Sequence, residues 1–239
     1  MRSIAIDIGN TGVKYGIFEE DVLLTQGYFK EQDGLPQELT AQSFDHAIVA
    51  SVSGDLEHIK AGLSVTGSIV ELSAQTALPV FNDYKTPQTL GADRIAGAVA
   101  ANYFFPGRNC LVIDAGTAIT YDFIDAQGHY QGGGIAPGIR MKYKALHTFT
   151  GRLPLVQEIQ NSFPLIGQTT QESLESGVSA GTVAEVEGMI RAYKQKADHL
   201  VVILCGGDAG FFESTIKERI FVIPELVLIG LHRILRQNV

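Results

Sequence analysis

Two short segments carry the residue types best suited to chemistry on a charged ligand. The first reads Ile4-Ala5-Ile6-Asp7-Ile8-Gly9-Asn10-Thr11, and the second reads Leu111-Val112-Ile113-Asp114-Ala115-Gly116-Thr117-Ala118. Each is a strand-like apolar run that ends in an Asp, a spacer, a Gly and then small hydroxyl or amide groups. A glycine there lets backbone amides approach an anion closely, and Asn10 and Thr11 add side-chain donors. A carboxylate and a phosphate repel, so Asp7 would act through a cation or a bridging water. One such turn is ordinary. Two, at matching places in the two halves, point to a duplicated fold that holds a polyphosphate between its halves, with Thr117 and Thr120 as donors at the second turn.

Three further segments are candidates. Gly91-Ala92-Asp93-Arg94 opens a predicted helix, where the dipole keeps a carboxylate ionised. Asp93 could then accept a proton from a substrate hydroxyl, and Arg94 could hold an anionic group. On residue types alone the ordinary reading, a helix-start acid beside a surface arginine, stands ahead. Gly206-Gly207-Asp208 follows a strand and opens a helix, a position open to the nucleoside part of a ligand or simply a tight βα turn. Gly132-Gly133-Gly134-Ile135-Ala136-Pro137-Gly138 reads as a backbone-permissive loop that opens a helix; close packing and a direct ligand role are equally compatible with it. There is no GxxxxGK[ST], no GxGxxG after the first strand and no GxSxG, which excludes the P-loop, Rossmann and hydrolase-elbow readings. The six His show no ligand or triad spacing and read as surface or packing residues.

The elements that must position these segments alternate. Residues 3–8, 13–19 and 22–29 read as strands joined by short links, hence an antiparallel meander. Residues 31–43 are polar and turn-rich. A buried strand at 45–52, a short helix at 55–63, a strand at 67–72 and a helix at 87–105 follow. The pattern restarts at Asn109: strands at 110–114 and 119–124, a hairpin turn at 126–128 and a third strand. Then come a helix near 139–149, a long helix from Thr169 or Thr170 to about Lys196, a strand at 199–204, a helix at 210–217 and an extended piece at 220–223. A last helix at 224–237 begins with Pro, as a first turn allows. Both halves thus read as three strands followed by alternating helices and strands. The expected division is 1–106 and 107–239, with a return of the last helix to the first lobe left open by the pattern.

At 239 residues and 45% hydrophobic, the chain can bury one large or two small cores. A net charge of −8 argues against a nucleic-acid or anionic-membrane surface. No run approaches the roughly 20 apolar residues of a bilayer span, and no signal-peptide pattern precedes the first strand. The two cysteines, Cys110 and Cys205, sit in apolar strands and read as reduced, buried thiols of a cytoplasmic protein.

With these residues in place, the chain resembles the type III pantothenate kinases, of the acetate/sugar kinase–Hsp70–actin superfamily. The matching elements are Asp7-Ile8-Gly9-Asn10-Thr11, Tyr84 followed by Gly91-Ala92-Asp93-Arg94, and Ile113-Asp114-Ala115-Gly116-Thr117. Gly133-Gly134-Ile135-Ala136-Pro137-Gly138, Leu153-Pro154, Thr170 with Ser176-Gly177, and Pro224 to Leu231 continue the match in order. The Asp-x-Gly turns indicate only the superfamily; Gly-Ala-Asp-Arg combined with Asp-x-Gly-Asn-Thr is specific to the family. The resemblance implies an α/β fold of two related ribonuclease-H-like lobes, each with a mixed five-stranded sheet. It also implies ATP-dependent phosphorylation of pantothenate, the first step of coenzyme A synthesis.

Residue roles follow from the same resemblance. Asp93 would be the general base. Tyr84, Gly91, Ala92, Asp93, Arg94 and Thr170 would hold pantothenate. Asp7, Ile8, Gly9, Asn10, Thr11, Gly12, Val13 and Lys14 would line the ATP phosphates, with Thr117 also at ATP. Asp114 would bind a monovalent cation, potassium or ammonium, and Mg2+ would accompany ATP. A homodimer is implied, with no nucleic-acid or membrane partner. The competing readings are another small-molecule kinase of the superfamily and a nucleotide-binding transcriptional accessory protein without turnover.

Overall fold

The computed structural model describes residues 1–51 and 56–239. They divide into two compact units: Met1–Gly107 with Ile124–Gly132 and Glu225–Val239, and Arg108–Phe123 with Gly133–Pro224.

Unit 1 begins with the expected meander, β1 (Arg2–Gly9), β2 (Gly12–Glu19) and β3 (Val22–Phe29). Then follow α1 (Gln37–Thr40), β4 (Ser43–Phe44), β5 (His46–Ser51), α2 (Leu56–Gly62), β6 (Ser64–Val65), β7 (Ile69–Glu71), β8 (Phe81–Asn82) and α3 (Ala92–Phe104). The expected strand end at Val52 and helix start at Asp55 lie outside the described residues. The sheet order is β3-β2-β1-β5-β7, mixed, with β1–β2 antiparallel and β1–β5 parallel. Alternation along β1 sends Ile4, Ile6 and Ile8 to one core and Ala5 to another.

Unit 2 holds β9 (Cys110–Ala115), β10 (Ala118–Ile124) as far as Phe123, and the Gly133–Pro137 part of β11 (His129–Pro137), whose first residues belong to unit 1. Its helices and remaining strands are α4 (Ile139–Phe149), α5 (Thr170–Glu175), α6 (Gly181–Lys196), β12 (Val201–Cys205), α7 (Ala209–Thr215) and β13 (Phe221–Val222). Its sheet order, read from β11, is β11-β10-β9-β12-β13, the same succession as in unit 1. The chain ends with α8 (Leu226–Asn238), which packs in unit 1 through Leu228, Leu231 and Ile234 against Ala96, Val99 and Ile48. Burial pushes the Cys110 thiol up to about 12, so it stays protonated and inert.

The structure corrects several expectations. The triple glycine is not a loop: Gly132, Gly133 and Gly134 lie within β11. A Cβ on Gly133 would overlap the backbone of Tyr121 on the neighbouring strand, so glycine serves close backbone packing. The second sheet has a sixth strand, because Phe81 and Asn82 of β8 pair in parallel with His129 and Tyr130. The helix expected at 87–105 starts at Ala92, since Leu90 is extended and Pro87–Thr89 forms a separate 3₁₀ turn. The long helix from 169 is interrupted by a π-turn at Ser176–Ala180. The last helix starts at Leu226, so Pro224 precedes its cap Glu225.

His232 fastens α8 to the first sheet. It is 1% exposed, stacks on Phe18 at 4.1 Å, and bonds Ser3 Oγ at 3.1 Å through Nδ1. Its Nε2 faces Asp21 at 3.4 Å, with Arg233 and Arg236 also on that carboxylate. Burial holds its pKa below the ordinary value of 6.5. The unfolded chain therefore binds the proton more readily, so this contribution is complete above 6.5 and is lost as pH falls below it. Thermal melting of the wild type is expected to drop from pH 7 toward pH 5, and His232→Gln to flatten that slope; equal slopes would contradict it.

Candidate functional site

The alternation that buries Ile6 and Ile8 fixes the direction of Asp7. In register it faces Lys14 on β2 and Ala50 on β5, and Ala50 belongs to the core formed with α3 and α8. Asp7 is thus half-buried at the end of β1, on the sheet face that carries α3. β1 and β2 close through Gly9 and Gly12, which leaves Asn10 and Thr11 at the tip. Tyr28 donates its hydroxyl to Thr11 O at 2.5 Å, and its ring occupies the place of a Cβ on Gly12. Gly9, Asn10, Thr11 and Gly12 line a cavity of about 410 Å³ with Lys30, Glu31 and Gln32. Sequence reasoning missed those last three, whose only signal is a polar turn after β3. Ile8 and Val13 point into the core, and exposed Lys14 is not on the cavity wall.

The substrate candidates of unit 1 converge at the start of α3. Asp93 Oδ1 accepts from the Arg94 N–H at 2.8 Å. A Cβ on Gly91 would overlap that carboxylate oxygen, so glycine is what lets Asp93 fold over the helix start. Arg94 is not the surface arginine of the ordinary reading: it is 6% exposed, its guanidinium 5.7 Å from the centre of the Tyr84 ring. Tyr84 in turn lies against Gly132, where φ is +92° and a Cβ would meet the ring at 2.9 Å. Gly91 and Ala92 also wall a second cavity of about 310 Å³ with Ser51, Leu72, Asn82 and Ile95.

Unit 2 holds the rest. Asp114 is half-buried near the end of β9, and Thr117 is exposed at the turn into β10. Gly206, with φ +94°, passes so close that a Cβ would overlap Asp114 Oδ1 and the Ala115 carbonyl. The Asp208 N–H donates to Ala115 O at 2.8 Å. The structure thus joins the second Asp-x-Gly turn to the Gly-Gly-Asp turn, which the sequence presents far apart. Thr169 caps α5 by accepting from the Glu172 N–H at 3.1 Å, which leaves Thr170, the first helical residue, exposed.

A half-buried Asp and a glycine turn in each unit, with a carboxylate, a buried Arg and a Tyr in unit 1, suit phosphoryl transfer to a hydroxyl. The sequence profile of the type III pantothenate kinases matches residues 3–192. The type III pantothenate kinase of Phocaeicola vulgatus is 44% identical over 241 residues, with 99% of this chain and 98% of the relative covered. That of Cytophaga hutchinsonii is 43% identical, with 99% and 100% covered. Among solved structures, a Campylobacter jejuni protein, named for a proposed role as a Baf family transcriptional activator, aligns at a TM-score of 0.66. It has 22% identity and 98% of each chain covered. The polyphosphate/ATP-glucomannokinase of Arthrobacter sp. strain KM aligns at 0.51 and 15% identity, with 100% and 99% covered. These two likenesses concern the fold, a mixed α/β architecture found among sugar kinases. The chain belongs to the type III pantothenate kinase family.

Proposed function

We propose that Asp93 is the general base of the reaction this chain catalyses, the ATP-dependent phosphorylation of pantothenate to 4′-phosphopantothenate that begins coenzyme A biosynthesis. The observation that carries the assignment is the Asp93 carboxylate, held over the start of α3 next to the buried Arg94 and its Tyr84 partner. Asp93 takes the proton of the primary hydroxyl as that oxygen bonds to the γ-phosphorus and the bond to ADP breaks. Arg94 holds the pantothenate carboxylate, and Tyr84, Gly91, Ala92 and Thr170 complete the contacts. Asp7 to Lys14 and Thr117 serve the ATP phosphates. The shared strand order supports reading the halves, divided near residue 107, as related ribonuclease-H-like lobes, with residues 124–132 and α8 belonging to the first compact unit.

Among the described residues no group of three or more His, Cys, Asp or Glu could hold a metal. The lone half-buried carboxylates Asp7 and Asp114, each beside a glycine turn, suit hard cations that draw their other ligands from water and phosphate. Asp7 would face magnesium through such a shell, and Asp114 would hold potassium or ammonium. When bound, these ions neutralise phosphate charge. Asp114→Asn is expected to bring the ratio of turnover in potassium to turnover in sodium down toward one; an unchanged ratio would remove Asp114 from that role.

A homodimer belongs to the same proposal, with the exposed Phe149, Leu165 and Ile166 as candidate contact residues. No helix among the described residues is long and apolar enough to cross a membrane. A cytoplasmic location belongs to the same proposal. An acceptor panel tests the function: with ATP and magnesium, mass spectrometry should find phosphorylated pantothenate and no phosphorylated hexose or acetate. Phosphate on the hexose or acetate instead would favour the rival kinase.

A further inference from the structure

One ion pair of unit 2 has no part in the assignments above. Asp208, 9% exposed, accepts from Arg140 Nη2 at 3.1 Å, while the Arg140 side chain is 64% exposed. Burying a carboxylate costs several kcal/mol, roughly, unless it is well paired. A pair with a mostly exposed arginine returns little of that. As a staple the arrangement is poor; as a way to aim a guanidinium outward it is effective.

Both partners are anchored to the second Asp-x-Gly turn. The Asp208 N–H donates to Ala115 O at 2.8 Å. Arg140 is the second residue of α4, an eleven-residue helix whose cap Gly138 donates its N–H to Thr117 O at 3.1 Å. A Cβ on Gly138 would overlap the carbonyl oxygens of Gly116 and Thr117, so α4 starts directly on the turn. The nearest cation along the helix, Lys142, is engaged by Glu185 and, at 3.1 Å, Thr182. Only one Arg140 nitrogen meets Asp208, and a guanidinium carries five donors in a fixed fork that suits phosphate.

We propose that Arg140 contacts the polyphosphate of ATP and that Asp208 is the positioning residue that aims it there. The inference rests on ATP binding at the second turn. It deepens that reading by adding an arginine that the family resemblance did not supply.

The test uses the full chain with Arg140→Ala, Arg140→Lys and Asp208→Asn. Arg140→Ala should lower kcat/KM for ATP by about 10- to 100-fold, the range of a lost charged hydrogen bond. The KM for pantothenate and the melting temperature should barely move. The rise of ATP KM with ionic strength should flatten, because a screened contact is gone. Arg140→Lys should recover part of the loss, and Asp208→Asn should raise ATP KM while leaving pantothenate KM alone. A value of kcat/KM for ATP within twofold of wild type in Arg140→Ala overturns the proposal. So does a loss shared by both substrates together with a fall in melting temperature, which would mark a structural staple. If Arg140→Ala does not fold, Arg140→Lys and Arg140→Gln, compared with wild type, decide on the same criteria. Direct titration of wild type with ATP separates the two levels: no binding defeats the nucleotide reading itself, whereas binding with an indifferent Arg140 defeats only this inference.

Discussion

Asp93→Asn is expected to fold like the wild type and to lose about a thousandfold or more of its turnover, within the 10²- to 10⁴-fold range typical of a general base. The expectation follows from the geometry of α3. The first-turn carboxylate accepts the Arg94 N–H at 2.8 Å, and Gly91 leaves it room. An asparagine oxygen can keep that hydrogen bond, so helix start and fold should survive. The amide cannot take up the hydroxyl proton. The loss should therefore appear in kcat, with ATP and pantothenate KM changed much less. An ADP-release assay beside a melting curve checks both halves. Wild-type-like turnover would remove Asp93 as the base, and a collapsed melting curve would assign it a structural task instead.

Gly230→Ala should have a large effect on stability. Gly230 is buried on α8 where it crosses α3, and a Cβ there would overlap the Ala96 carbonyl and lie 3.1 Å from Ala96 Cα. The obstructing atoms are helix backbone, with no flexible side chain to move aside. Overpacking typically costs about 1–3 kcal/mol, and an obstruction made of backbone puts this site at the upper end or beyond, above the gain of about 1 kcal/mol from replacing glycine inside a helix. At about 2–4 °C per kcal/mol for a chain of this size, melting should fall by several degrees. Because α3 carries Asp93 at its start, activity should decline at temperatures below the melting midpoint. An unchanged or raised melting temperature would show that α8 and α3 are not in backbone contact.

The parts of this molecule legible in the sequence are those written in local pattern. The meander of β1 to β3 showed in strand-length apolar runs joined by short links. The two Asp-x-Gly turns showed because strand, acid and glycine are contiguous. Gly132 to Gly134 misled because glycine carries no side-chain periodicity; the strand is defined by the Tyr121 backbone it approaches. β8 is two residues long, too short for any period, and its partner is distant in sequence. The apolar face of α8 was readable, but the α3 backbone against it was not. Arg94 read as an ordinary surface residue because the Tyr84 ring its guanidinium faces comes from ten positions earlier, outside the helix. Asp208 and Arg140 are 68 positions apart, and only the folded unit brings them to the same turn.

The central claim is that this chain transfers phosphate from ATP to pantothenate with Asp93 as base. Steady-state ADP release, with magnesium and potassium and with or without pantothenate, tests it most directly. ADP release that depends on pantothenate, saturates with it and disappears in Asp93→Asn is the predicted result. No pantothenate-dependent release in either potassium or sodium would contradict the claim.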